Sequence, residues 1–338
     1  MRVILDCDPG NGFPGADIDD GLALGLILAS PELQLEAVTV VGGNTAVRMG
    51  IRSALRMLEL AGVDVPVFAG SARPIMEDHA VWRERLDGFG KTPATAKLWA
   101  RVTQPEPKTR IQSEKAASAL VRLVDTHAGD ITIIAVGPLT NLAEAILLDP
   151  ELPKKVNRLV IMGGAFAMWH VLQEMNFGYD PDAAHIVVTS GARITLIPLD
   201  ATMKTYLRLD QNSRLSQAKG SLARFLGDTC EPWIRYIGEA NGRDGCALHD
   251  PLAVATLIDP SVVTLEQMRV DVETAGPLTR GRSISWRPHR TALFGTKRLH
   301  ELDPIDVAVD ADNDRFVKLL LERLTGSRDP DDTPEGPS

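Results

Sequence analysis

The stretch that most constrains this chain is Val3-Ile4-Leu5-Asp6-Cys7-Asp8-Pro9-Gly10, continuing through Asp17-Ile18-Asp19-Asp20 into the apolar run that ends at Leu28. A short apolar segment that stops at two acids, Pro and Gly reads as a buried strand ending in a sharp turn. From Asp19 onward, Leu22, Leu24, Leu26, Ile27 and Leu28 around Gly and Ala read as a buried helix. Asp6, Asp8, Asp19 and Asp20 therefore crowd a strand's C-terminal end and a helix start, where open α/β sheets bind ligands. Carboxylates this close repel one another unless a cation sits among them, and hard cations prefer oxygen ligands. The expectation is a Ca²⁺ or Mg²⁺ site. The plainer reading makes Asp17 or Asp19 an N-cap, since helix starts favour acids. Capping needs one acid, and here there are four.

Further along, Leu35–Val41, Val65–Ala69, Ile131–Val136, Leu159–Met162 and Ile194–Pro198 read as strands. Helical patterns over about 45–61, 113–127, 142–148, 181–189, 211–239, 252–258 and 312–324 come between or after them. Such alternation means βαβ units and a largely parallel sheet flanked by helices. The stretch from Met268 to Ala308 alternates in period two and is expected to add antiparallel strands near the C-terminus. Residues 77–107 are charged and irregular, with two Trp, and a segment that long suggests a lid. The loop expected over 165–177 carries Trp169 and His170. The chain reads as one α/β domain over residues 1–326, with an Asp-, Pro- and Gly-rich tail, 327–338, expected to be disordered.

The net charge of −9 argues against a nucleic-acid partner. Three scattered cysteines, Cys7, Cys230 and Cys246, suggest no disulfide framework. With no basic and apolar leader, and no run of 18 apolar residues, no membrane span is expected and a cytoplasmic location is.

Asp6-x-Asp8-Pro9-Gly10 with Asp19-Asp20 and the small-apolar helix resembles the N-terminal signature of the inosine-uridine preferring nucleoside hydrolases. The chain departs from the commonest form by seven residues, about Gly12 to Ile18, whose Gly and Pro content predicts a loop. Matches continue in order through Gly42-Gly43-Asn44, Val136-Gly137-Pro138, Met162-Gly163-Gly164, Glu174-Met175-Asn176 and His249-Asp250-Pro251. The resemblance implies that fold, a ribonucleoside substrate (purine, pyrimidine or both) and hydrolysis of its N-glycosidic bond. It implies Ca²⁺ held by Asp8, Asp20, Asp250 and the Val136 carbonyl, with Asp8 as general base on the activated water. Asp19, Asn44, Met162, Glu174 and Asn176 would bind or underlie the ribose, and His249 would be the acid for the leaving base. It also implies a homodimer or homotetramer.

Taken singly, these matches have plain structural readings. Gly137-Pro138 suits any strand-to-helix turn, and His249-Asp250 suits a polar pair capping the next helix. Trp82, Phe89 and Trp169 either stack on a base or pack their own loops. Where the family often places a His, this chain has Arg83-Glu84-Arg85-Leu86-Asp87-Gly88. Two other functions compete: a non-catalytic ribonucleoside-binding protein on the same scaffold, and a phosphohydrolase using an Asp-x-Asp nucleophile. The second lacks the Thr or Val expected where Pro9-Gly10 stands.

Overall fold

Val3, Leu5 and Cys7 of strand β1 (Arg2–Cys7) face one apolar layer and Ile4 faces the other, all fully buried. The same split recurs in β2 (Gln34–Val40), where Val38 and Val40 oppose Ala37, and in β5 (Ile131–Ala135), where Ile134 opposes Ile133. Strands covered on both faces need continuous apolar runs, which is why these segments lack polar alternation. The structure is a computed structural model that describes residues 1–242, 244–287 and 301–326, without the side chains of residues 240 and 241. The expected tail, 327–338, and the middle of the expected antiparallel stretch, 288–300, lie outside the described residues.

The remaining strands of the main sheet are β3 (Val67–Ala69), β4 (Gln112–Lys115), β6 (Arg158–Met162), β7 (Ile194–Ile197), β10 (Val263–Val272), β11 (Ser283–Trp286) and β12 (Ile305–Ala311). Among the described residues they form one sheet in the order β11-β10-β12-β7-β6-β5-β1-β2-β3-β4. From β12 to β4 every neighbouring pair is parallel, while β10 runs antiparallel to both β12 and β11. Both the largely parallel sheet and its antiparallel extension therefore match the expectation.

From β1 the chain winds outward through β2, β3 and β4, then returns to place β5 against the other edge of β1. Connections leaving β1 and β5 diverge, and the crevice beyond their C-terminal ends is the switch point where ligands sit in such sheets. One face carries α1 (Asp19–Leu28), α2 (Val47–Ala61), α12 (Ser221–Asn241), α13 (Asp250–Ile258) and α14 (Asn313–Thr325). The other carries α5 (Ala116–Thr126), α6 (Thr140–Leu148) and α9 (Pro181–Val188).

Four local expectations shift. The segment 77–107 holds two helices, α3 (His79–Phe89) and α4 (Pro93–Leu98). Both have proper starts: Asp78 accepts from the Ala80 amide (2.9 Å), and Thr92 from the Thr95 amide (3.1 Å) ahead of Pro93. No residue of α3 is fully buried, so no apolar stripe marks it in the sequence. Residues 112–115 extend the sheet edge beside β3, so the helix expected from Ser113 begins at Ala116. Within the loop expected over 165–177 the short helix α8 (Met175–Tyr179) begins. A two-stranded pair, β8 (Tyr206–Leu207) with β9 (Cys246–Ala247), was not foreseen.

Candidate active site

The seven-residue insertion closes on itself between β1 and α1. Phe13 donates its amide to the Gly10 carbonyl (3.0 Å), and the Asn11 side-chain amide reaches Ile18 O (3.1 Å) and Thr229 Oγ1 (3.3 Å). Phe13 lies under the Arg52 guanidinium, 5.6 Å from its ring centre. Gly15 takes a left-handed φ of 74°, and a Cβ there would meet the Gly90 amide nitrogen at 2.6 Å. The loop thus returns the chain to register, and the Asp8 amide donates to Asp20 Oδ1 at 2.8 Å across it. Neither Asp17 nor Asp19 caps α1: Ile18 holds the N-cap position without a side-chain bond, and Asp17 accepts from the Ile18 amide (2.7 Å).

Beyond the β1 end the carboxylates converge. Carboxylate oxygens of Asp19, Asp20 and Asp250 lie within 4.8 Å of one another. Asp250 arrives from a distant part of the chain, as first residue of α13, because Asp19 Oδ2 accepts the amides of both His249 (2.9 Å) and Asp250 (3.1 Å). Asp8 joins through its amide bond to Asp20, and its Oδ2 accepts the Asn44 amide. Asn44 also donates from its side chain to Asp20 Oδ2 at 3.1 Å. The structure therefore brings together Asp8, Asp19, Asp20, Asn44 and Asp250, and the three carboxylates that lie within mutual reach of one ion are Asp19, Asp20 and Asp250, with Asp8 beside them.

Glu174, Asn176, Met162 and Val136 form the adjoining wall. Glu174 caps α8, accepting from the amides of Asn176 (2.7 Å), Phe177 (3.0 Å) and Gly164 (2.9 Å). Asn176 Nδ2 donates to the carbonyls of Val136 (2.7 Å) and Met162 (3.2 Å), while its buried Oδ1 has no partner. These residues line a cavity of about 230 Å³ together with Asp19, Asn44, Leu86, Phe89, Trp233, His249 and Asp250. His249 is half-buried, and its Nδ1 is 2.7 Å from Thr202 Oγ1, which fixes the ring plane.

The three aromatic candidates separate. Phe89 lines the cavity. Trp82 packs on Tyr179 at 6.1 Å between ring centres, and Trp169 is 92% exposed with His170 edge-on beside it. Trp233 lines the cavity and Thr202 braces His249, yet neither was foreseen. Each reaches the site from a helix far along the chain, so no local spacing announces it.

Electrostatics argue for a cation. Burial pushes the Asp8 carboxyl up to about 7, against its hydrogen bond from Asn44 and the Arg83 charge. Burial and then the neighbouring carboxylates raise Asp20 and Asp250 well above the usual range. Burial lowers His249, which Asp19 partly offsets. Asp8, Asp19, Asp20 and Asp250 are at most 3% exposed, and Asp8 Oδ1 is buried without a hydrogen-bond partner. Charges so placed are paired or coordinate metals. An all-oxygen set of carboxylates, joined by a Val136 carbonyl with a second lone pair left, fits a hard divalent cation.

A sequence model of the inosine-uridine preferring nucleoside hydrolases matches residues 3–318. The chain is 34% identical to the pyrimidine-specific ribonucleoside hydrolase RihA of Salmonella typhimurium, covering 96% of this chain and 98% of that one. It is 32% identical to the probable uridine nucleosidase 2 of Arabidopsis thaliana, with the same coverage. Among solved structures, the purine-preferring ribonucleoside hydrolase from Gardnerella vaginalis superposes with a TM-score of 0.81 at 30% identity, over 96% of this chain and 98% of that one.

Proposed function

This chain belongs to the inosine-uridine preferring nucleoside hydrolases and is a ribonucleoside hydrolase, and on that premise we propose a calcium-dependent mechanism with Asp8 as general base and His249 as donor to the leaving base. The competing phosphohydrolase is set aside with that membership, and the non-catalytic binder on the same scaffold is the reading that the sugar-release assay below distinguishes. The observation that carries the proposal is the buried, unpartnered Oδ1 of Asp8 beside the Asp19–Asp20–Asp250 cluster. Asp8, Asp20, Asp250 and the Val136 carbonyl would hold the ion, and Ca²⁺ suits them because it accepts many oxygens in flexible geometry. A bound divalent cation supplies Lewis acidity and offsets the local negative charge.

Hydrolysis of an N-glycoside passes through an oxocarbenium-like transition state, so the protein must activate water and help the base leave. Asp8 Oδ1 is the free acceptor for a proton from the attacking water. Asp19 and Asn44 would hold the 2′- and 3′-hydroxyls. Glu174 keeps its oxygens on three backbone amides, so its part is to fix Asn176. The free Oδ1 of Asn176 is then the acceptor for a ribose hydroxyl, over a floor that includes Met162. A 2′-deoxynucleoside leaves these buried polar groups unpaired, which selects for ribose. His249, held by Thr202 on Nδ1, faces the cavity near Trp233 and Phe89, where the base would leave.

Purine and pyrimidine specialists both occur among the similar proteins. The test is release of reducing sugar from inosine, adenosine, guanosine, uridine and cytidine, with and without chelator. Activity that survives chelation and dialysis would overturn the calcium part. Loss of turnover is expected for Asp8→Ala with the nucleoside still bound. The homodimer or homotetramer expected by resemblance belongs to the same proposal, and sedimentation reads it.

A further inference from the structure

Arg83 stands on α3 with its side chain 14% exposed, and it does not line the cavity. Its Nη2 donates to the Gly43 carbonyl, and more weakly to that of Asn44 at 3.4 Å. Asp87, one turn along α3, pairs with Nη1 at 3.4 Å. The carbonyls it grips belong to the turn whose Asn44 amide is donated to Asp8 and whose Asn44 side chain is donated to Asp20. That turn is Gly42-Gly43-Asn44: its glycines bring no side chains of their own, and the Gly42 amide ties its start to the Ser71 carbonyl (2.9 Å), leaving the Gly43 and Asn44 carbonyls to Arg83.

We propose that Arg83 is a positioning residue: from the lid helix it clamps the Gly43 and Asn44 carbonyls and so holds the Asn44 amide against Asp8, making the site catalytically assembled only while α3 lies over it. The proposal rests on the hydrolase reading of Asp8 and Asn44 given above. Leu86 and Phe89, on the same helix, form part of the cavity wall. Helix α3 buries no residue completely, so few contacts besides these hold it in place. Moving α3 withdraws the guanidinium with it.

The variants are Arg83→Met and Arg83→Lys. Losing a charge-assisted bond to this turn should lower kcat by about 10- to 100-fold, with KM changed less than about threefold. Arg83→Lys keeps a charge and a donor and should recover part of the rate, but not all, because it lacks the planar fork. Amide hydrogen exchange over residues 42–45 should quicken in Arg83→Met while β5 and α13 stay protected. Full kcat in Arg83→Met or unchanged exchange over 42–45 would each overturn the clamp. A wild-type protein that cleaves no ribonucleoside would instead overturn the hydrolase reading, and the exchange measurement would still decide whether Arg83 holds the turn.

Discussion

Gly137 offers the sharpest single test of how closely Asp8 is fitted. A Cβ added there would stand 2.7 Å from Asp8 Oδ1 and 2.8 Å from Val41 Cγ1, where ordinary contact begins at 3.4 Å. Gly137→Ala therefore demands a separation of about 0.7 Å, shared between a carboxylate and a side chain locked in the core. Val41 is 1% exposed and cannot retreat, whereas Oδ1 of Asp8 is tied to nothing. The carboxylate is the part that moves. A misplacement of about 1 Å costs roughly 100-fold in rate, so a fall in kcat of about 30-fold is expected. Overpacking should cost about 1–3 kcal/mol of stability, a few degrees in Tm for a chain of this size. Steady-state kinetics on the best nucleoside, with calorimetric titration of Ca²⁺ into stripped protein, would separate a moved base from a lost ion. A Gly137→Ala enzyme with kcat within threefold of wild type refutes the claim that Asp8 Oδ1 is the positioned base.

Three further outcomes follow from the same geometry. Asp250→Asn should weaken Ca²⁺ binding by at least tenfold in calorimetry, while far-ultraviolet dichroism stays unchanged, because Asp19 still accepts the residue 250 amide. His249→Ala should cut turnover of inosine or uridine far more than turnover of a nitrophenyl riboside, whose leaving group needs no proton, and equal losses would remove His249 from that role. Asp6 and Asp8 are both pushed up to about 7 by burial, so between the usual carboxylate value and pH 7 the folded chain binds more protons than the unfolded one. Chelated protein should then lose stability as pH rises from about 4 to about 7, and added Ca²⁺ should restore it at the upper end. A stripped protein whose Tm rises over that range would contradict both assignments.

What could be read from residue order and what could not divide along physical lines. Asp8 and Asp20 were legible because four acids interrupt a run that is otherwise apolar enough for a doubly covered strand and helix. Val136 was indicated only by the resemblance, because a buried strand ending at Gly137-Pro138 suits any strand-to-helix turn, and what the structure adds is that its carbonyl lies against Asn176 Nδ2. The insertion separates Asp8 from Asp20 along the chain, and Asn11, bonded to both Ile18 and Thr229, closes the gap. Helix α3 stayed hidden because it buries no residue completely, so no apolar stripe marks it in the sequence. Thr202, Trp233 and Arg83 carry no signal at all in their own neighbourhoods. They matter because folding brings helices from elsewhere in the chain to one crevice, and pairwise proximity of that kind is a property of the fold.

At the place where Gly15 meets Gly90 two main chains touch with no side chain between them. Neither segment can therefore be exchanged by itself. An engineer wishing to retune this enzyme's preference by borrowing the 77–107 helices of a cousin would have to bring the matching 12–18 loop along, or the borrowed helices would rest on the wrong ledge. The stretch of cavity wall that Gly15, Ala16, Leu86 and Phe89 share can thus be remodelled only as a pair of segments.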